Sequence, residues 1–298
     1  MSSTPVLRVL STGPQLLLED RGRPGRASLG VSPSGSFDRL SAARANHALG
    51  NTPDAAVLEI LLGGCEFEVL NPTSLVVTGT DASVSLRRRR GAVIDAHTHR
   101  ILDVATGDRL YIEPARYGLR AYLGIRGGFL AQEELGSRST DTLSGLGPTP
   151  LAEGDVLSKA SDIAELAWWP ALRTLPVLWR RVAEETLTVI PGPREDWFEE
   201  DALDLFYSQT YEVSQDSNRV GLRLTGDVPL GRRRKEELPS EGMVRGSIQV
   251  PPNGQPVVFG PDHPVTGGYP VIAVLTSRSC DRSAQLRPGD RIRFRRSH

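Results

Sequence analysis

Residues 57–86 read VLEILLGGCEFEVLNPTSLVVTGTDASVSL. Four apolar runs, VLEILL, CEFEVL, SLVVTG and ASVSL, are rich in β-branched residues, and each is bounded by Gly, Asn, Pro or Asp. Runs of that length between turn residues read as strands, and their close spacing leaves no room for the crossover helix of a parallel sheet. RLYIEPA and LRAYLGI continue the series, and TLTVIPGP, YEVS, VGLRLTG, GSIQV, PVVFG, VIAVLTS and RIRFR repeat it in the second half. The pattern predicts a mainly β protein with a few helices, built as barrels or sandwiches rather than βαβ units.

Composition agrees. With 30 glycines and 22 prolines in 298 residues, the chain carries more turn formers than a helical protein needs. Two helices are expected. One is FDRLSAARANHALG, capped by Ser36 or Asp38, with an apolar stripe of Leu40, Ala43, Ala48 and Leu49; the other is EDWFEEDALDLFYSQ, with acids in its first turn. RGRPGR near the start reads as an exposed loop, and SDIAELAWWPALRTLP, broken by Pro170 and Pro176, as a linker. The expected division is a first subdomain over 1–160, a linker over 161–185 and a second subdomain over 186–298. A Gly-Asp turn entering a strand recurs in ATGDRLYI, LAEGDVLS and LRPGDRIRF.

Charge excludes several functions. The 35 basic and 36 acidic residues leave a net charge of −1, so no global field draws nucleic acid or an anionic membrane. No apolar run is long enough to span a bilayer, and no secretory leader opens the chain, so a cytoplasmic location is expected. Cys65 and Cys280, without CxxC partners, read as buried thiols. His97, His99 and Asp95 in IDAHTHR have too few histidines around them for a metal site, so they read as a solvated hairpin face and no metal is expected. The runs RRRR and RRRK read as exposed turns. There is no GK[ST], no GxGxxG opening a helix and no GxSxG.

Polar residues concentrate instead in glycine-rich loops: SGSFD (34–38), GSRST (136–140), NRVGLRLTG (218–226), GSIQVPPNGQP (246–256) and DHPVTGGYP (262–270). Such loops offer backbone N–H groups and hydroxyls to an oxyanion, carboxylate or phosphate. Their order, together with SGSFDRLSAARANHALGN, AAVLEILLGG, LVVTGTDA, RAYLGIRGGF, LGSRSTD, VIPGP, EGMVRGSIQVPPNGQPVV, PVTGGYPVIAVL and LRPGDRIRF, resembles the allophanate hydrolase subunit 2 family. That family comprises the A and B subdomains of biotin-dependent carboxyltransferases and includes the C subunit of prokaryotic ATP-dependent 5-oxoprolinase.

The resemblance implies two tandem cyclophilin-like β-barrel subdomains and a partner of the allophanate hydrolase subunit 1 type, the counterpart of the B subunit of 5-oxoprolinase. It implies ATP-dependent cleavage of 5-oxoproline to glutamate, with ATP and Mg in the complex. The alternatives are carboxyl transfer to urea-like amides, or a non-catalytic regulatory subunit. Neither Met1 nor Met243 adjoins a lysine, so carboxybiotin would come from another chain. On this reading Arg138, Arg219 and Arg223 clamp a carboxylate or phosphate, and Asp38, Asp262 and His263 orient them or handle protons. Ser137, Ser139, Thr140, Gln249, Thr266, Gly267, Gly268 and Tyr269 line the place of a small amide or lactam. The chain departs from the family at Ser36-Phe37, where Ala-Met is common, and at Pro264-Val265, where Gln-Thr is common. Both changes adjoin the implied site.

Overall fold

A computed structural model describes residues 4–164, 172–177, 183–234 and 236–297. Of the expected linker over 161–185, residues 165–171 and 178–182 lie outside the described residues. The chain divides into two compact units: Met1–Arg23, Asp38–Thr140 and Gly145–Arg180 form the first, while Pro24–Phe37, Asp141–Ser144 and Arg181–His298 form the second. The mainly β class is the one observed.

The first unit holds two antiparallel sheets. Seven strands lie in the order Phe129–Leu130, Val156–Lys159, Thr4–Thr12, Cys65–Val69, Arg109–Ile112, Ser83–Arg87, Val93–His97. Five more follow the order Gln15–Glu19, Val57–Leu61, Arg120–Ile125, Thr73–Thr78, Leu102–Val104. Side chains from both sheets, among them Val9, Phe67, Ile112, Leu58, Val77 and Leu123, meet in one core. The period of two is plain in Cys65–Val69: Cys65, Phe67 and Val69 are buried, while Glu66 and Glu68 face out to Arg109 and Arg8.

Strand Arg120–Ile125 is buried throughout because helix α1 (Arg39–Ala48) covers its other face. At Gly124 an added Cβ would stand 3.2 Å from both Ala45 Cβ and Leu49 Cδ1, so glycine permits this close approach. Asp38 is the cap: its Oδ1 accepts from Ser41 N at 2.9 Å. The buried stripe is Ala42, Ala45, Ala48 and Leu49, whereas Leu40 is 57% exposed and Ala43 is exposed. Asp38 is thus one of the two expected caps, but the helix buries a different face from the expected one.

The second unit is a closed barrel of seven strands in the order Glu185–Pro191, Val271–Leu275, Ser247–Gln249, Val257–Phe259, Gly221–Gly226, Tyr211–Val213, Arg291–Arg296. The first and last pair in parallel and close it. Helix α2 (Glu200–Ser208) begins five residues later than the sequence suggests, after a 3-10 turn at Glu195–Trp197. Its Phe206 stacks on Phe294 with ring centroids 4.6 Å apart. Helix α3 (Ser277–Ser283) was not anticipated, because SRSCDRS buries Ser279, Cys280 and Ser283 rather than an apolar stripe. Thr276 caps it.

The three Gly-Asp turns share one geometry. Asp108, Asp155 and Asp290 each accept from the backbone N–H three residues back, at 2.9, 2.8 and 2.8 Å, and Gly107, Gly154 and Gly289 all have φ near +90° (86°, 92° and 86°). Both cysteines are buried and free. Among the described residues no helix is long and apolar enough to cross a membrane.

Candidate functional site

In the second unit the loop opening DHPVTGGYP begins with a buried ion pair. Arg219 enters strand Gly221–Gly226, and its guanidinium meets Asp262 through Nε at 2.8 Å and Nη2 at 3.0 Å, while Nη2 also donates to Gly35 O. Asp262 accepts further from Ser34 Oγ at 2.8 Å, Thr142 N at 3.0 Å and Thr142 Oγ1 at 2.7 Å. Burial pushes the Asp262 carboxyl up, but the Arg219 charge and the bonds from Arg219 and Thr142 outweigh it and hold the group below the usual carboxylate range. An anion with this many donors is a tether for segments Pro24–Phe37 and Asp141–Ser144, and a poor base.

His263 is different. Its Nδ1 lies 2.9 Å from Pro264 O, so Nδ1 carries the proton and Nε2 keeps a lone pair. Nε2 is buried and has no partner among the described residues. The ring lies parallel to Phe259, with centroids 5.9 Å apart. Burial pulls its pKa down, the Arg245 charge adds to this, and Pro264 O, Asp262 and Asp141 oppose it. The imidazole is therefore a neutral base at pH 7.

Beyond His263 the chain forms a short edge. Thr266–Gly267 pairs with Glu241–Gly242, and Thr266, Gly268 and Tyr269 are exposed. Gly267-Gly268 is therefore not the hairpin turn its dipeptide suggests, and neither glycine has a positive φ. Close packing is the reason for Gly267: an added Cβ would fall 2.3 Å from Gln249 Nε2. Gln249, buried in its strand, donates to Tyr269 O at 3.0 Å and so fixes the loop from beneath.

The expected arginines are otherwise engaged. Arg223 is exposed on the outer wall of the barrel. In the first unit Arg138 pairs with Asp162 through Nη1 and with Glu133 through Nη2 at 3.1 Å. The hydroxyls of Ser137 and Ser139 donate to Asp20 Oδ1 at 2.7 and 2.6 Å, and Arg138 N donates to Oδ2 at 2.7 Å. Thr140 is buried and its N–H donates to Leu18 O at 2.9 Å. Asp38 is the helix cap described above. The predicted residues thus fall into two groups: Asp38, Ser137, Arg138, Ser139 and Thr140 in the first unit, the rest in the second.

Sequence reasoning missed several polar groups. Arg23, in a loop expected to be exposed, is 1% exposed and donates to Glu134 O and Ser139 O. His99 is buried with φ 67°, unlike the exposed His97 of the same presumed hairpin face. Arg232, in the RRRK run, is only partly exposed, and its guanidinium lies over the Tyr269 ring at 5.7 Å. Isolated polar residues in loops leave no periodic signal. Among the described residues no three His, Cys, Asp or Glu side chains gather as a metal cage.

The family model of the carboxyltransferase domain, subdomain A and B, matches residues 29–296, and the chain belongs to that family. It is similar to the C subunit of 5-oxoprolinase from Escherichia coli, with 32% identity over 97% of this chain and 90% of that protein. Among solved structures it resembles TTHA0988 (TM-score 0.83, 31% identity) and the urea amidolyase of K. lactis (TM-score 0.87, 29% identity). Both likenesses cover 99% of this chain, which spans 56% of the first and 19% of the second.

Proposed function

We propose that this chain is a subunit of an ATP-dependent amidohydrolase that cleaves 5-oxoproline to glutamate with a partner of the allophanate hydrolase subunit 1 type. The observation that carries this reading is the likeness to the C subunit of 5-oxoprolinase across 90% of that protein.

A lactam is a poor electrophile, and ATP with Mg, when bound in the complex, would supply a phosphoryl group to make the carbonyl oxygen a leaving group. The residues of this chain present donors and a base to such a substrate. The exposed Thr266–Tyr269 edge, held by Gln249, offers hydroxyl and backbone groups to the lactam. His263, a neutral imidazole whose buried Nε2 has no partner among the described residues, is the base assigned to proton handling. Arg219 and Asp262 act as positioning residues for the segment that carries His263.

A second reading is carboxyl transfer to a urea-like amide, favoured by the TM-score of 0.87 to the urea amidolyase of K. lactis. Carboxybiotin would then arrive on another chain. The test mixes the purified chain with candidate partner subunits and follows ATP hydrolysis with 5-oxoproline, with urea and with neither. Glutamate formed without bicarbonate is the expected result. A bicarbonate requirement with urea selects the second reading, and silence in every arm leaves a regulatory subunit.

A further inference from the structure

The arginine standing at the Thr266–Tyr269 edge is Arg232, which the sequence placed in an exposed turn. Its Nη2 donates to Val250 O and its guanidinium covers the Tyr269 ring at 5.7 Å. Its Nε is buried and has no acceptor among the described residues. Among the described residues Arg232 has no ion pair, whereas Arg194 pairs with Glu241 and Arg234 with Asp196 at 3.2 Å. A partly buried guanidinium without a counter-ion is costly, since burial disfavours the charge it must carry.

A donor on the neighbouring segment is also unmet. Trp197 is 5% exposed, and its indole N–H is buried without an acceptor among the described residues. The backbone holds the two segments side by side. Phe198 bridges Arg232 in antiparallel fashion, Arg233 N donates to Trp197 O at 2.9 Å, and the Arg234 guanidinium covers the Trp197 ring at 5.7 Å. Arg232 thus covers Tyr269 and Arg234 covers Trp197, and Arg232 Nε is left without an oxygen among the described residues.

We propose that Arg232 is the carboxylate receptor of this site and selects a small carboxylic acid over its neutral analogue. The 5-oxoproline case rests on the function proposed above; the carboxylate class does not. One guanidinium suits a singly charged, planar carboxylate, to which a charge-assisted hydrogen bond adds affinity and orientation. A urea-like substrate has no group to place there. The lactam ring would then lie towards Tyr269, whose ring already packs against the same guanidinium.

Calorimetric titration of the full chain tests this with 5-oxoproline against 2-pyrrolidinone, the same lactam without the carboxylate, and with N-acetylglycine against N-methylacetamide. The expected result is tighter binding of the acid in at least one pair. Arg232→Gln should weaken that acid about 10- to 100-fold, the worth of one charge-assisted hydrogen bond, and leave the neutral analogue unchanged. Arg232→Lys, which keeps the charge but loses the Nε donor, should fall between. Arg233→Gln, an exposed neighbour in the same turn, controls for net charge. Acid binding that is indifferent to both Arg232 variants, or no acid bound in either pair, overturns the proposal. Arg232-dependent binding of N-acetylglycine alone upholds the receptor and counts against 5-oxoproline as substrate. Glutamate production by the complex with unaltered KM in both Arg232 variants does the reverse.

Discussion

Arg219 and Asp262 form a two-pronged ion pair in the second unit, Nε to Oδ2 at 2.8 Å and Nη2 to Oδ1 at 3.0 Å, with side chains only 2% and 0% exposed. Three further donors from Ser34 and Thr142 complete the carboxylate. Removing one member of such a pair leaves a buried charge without its counter-charge. Arg219→Gln should therefore lower stability by about 3–5 kcal/mol in urea denaturation. A loss below about 1 kcal/mol would show that the pair does not tether these segments.

Acid sensitivity should come first from His99 rather than from Asp262. Burial pulls the His99 pKa from 6.5 to about 4, Arg44 adds to the fall, and the Thr80 backbone and Asp81 oppose it. Between those values the unfolded chain binds a proton that the folded chain refuses. Stability is thus full above pH 6.5 and declines as pH falls towards 4, by about 3 kcal/mol at 1.4 kcal/mol per unit. His263, shifted in the same direction, adds to the decline. Asp262, with a depressed pKa, contributes stability that is lost only below about pH 3.9. His99→Asn tolerates the left-handed backbone and removes the titration. Its urea midpoint should vary less between about pH 7 and 4.5 than that of the parent chain, and equal slopes would refute the assignment.

Gly267 and Gly268 should respond differently to alanine. At Gly267 the new Cβ would fall 2.3 Å from Gln249 Nε2, so the amide must leave Tyr269 O; at Gly268 nothing lies nearer than Leu238 O at 3.5 Å. Gly267→Ala is expected to cost about 1–3 kcal/mol, as overpacking does, and to raise KM by loosening Tyr269. Gly268→Ala should be near neutral on both measures. Equal effects would mean that turn conformation, not contact with Gln249, governs this loop.

The strands were legible because their signal is repeated: CEFEV alternates strictly, and its buried residues and outward glutamates lie where period two puts them. The Gly-Asp turns were legible because a left-handed glycine and an aspartate that accepts three residues back leave a short local signature. Helix α3 was not, since its buried face is Ser279, Cys280 and Ser283 and its stability comes from packing and the Thr276 cap. The site was read loop by loop, so its segments were found but the work of each side chain was not. Arg219, Arg223 and Arg232 look alike in sequence; one meets an aspartate, one faces out from the barrel wall and one covers a tyrosine. Those differences are set by contacts distant along the chain, as in the 43-residue separation of Arg219 and Asp262.

In the first unit Tyr122 joins helix α1 to the sheet beneath it. Its hydroxyl accepts from Asp38 N at 2.6 Å and donates to Glu59 Oε2 at 2.9 Å, while Arg120 Nε stands 3.3 Å from Glu59 Oε1. Burial, then the charges of Glu59 and Asp38, push the phenol well above its usual pKa, so the hydroxyl stays protonated and can serve both partners. Tyr122→Phe keeps the ring against Ala42 and Val57 but takes an acceptor from Asp38 N and a donor from Glu59. The expected loss is about 1–3 kcal/mol, the cost of buried groups deprived of a partner. It should be accompanied by faster amide exchange at Asp38. Unchanged stability with unchanged exchange would mean that the helix is held by its apolar stripe alone.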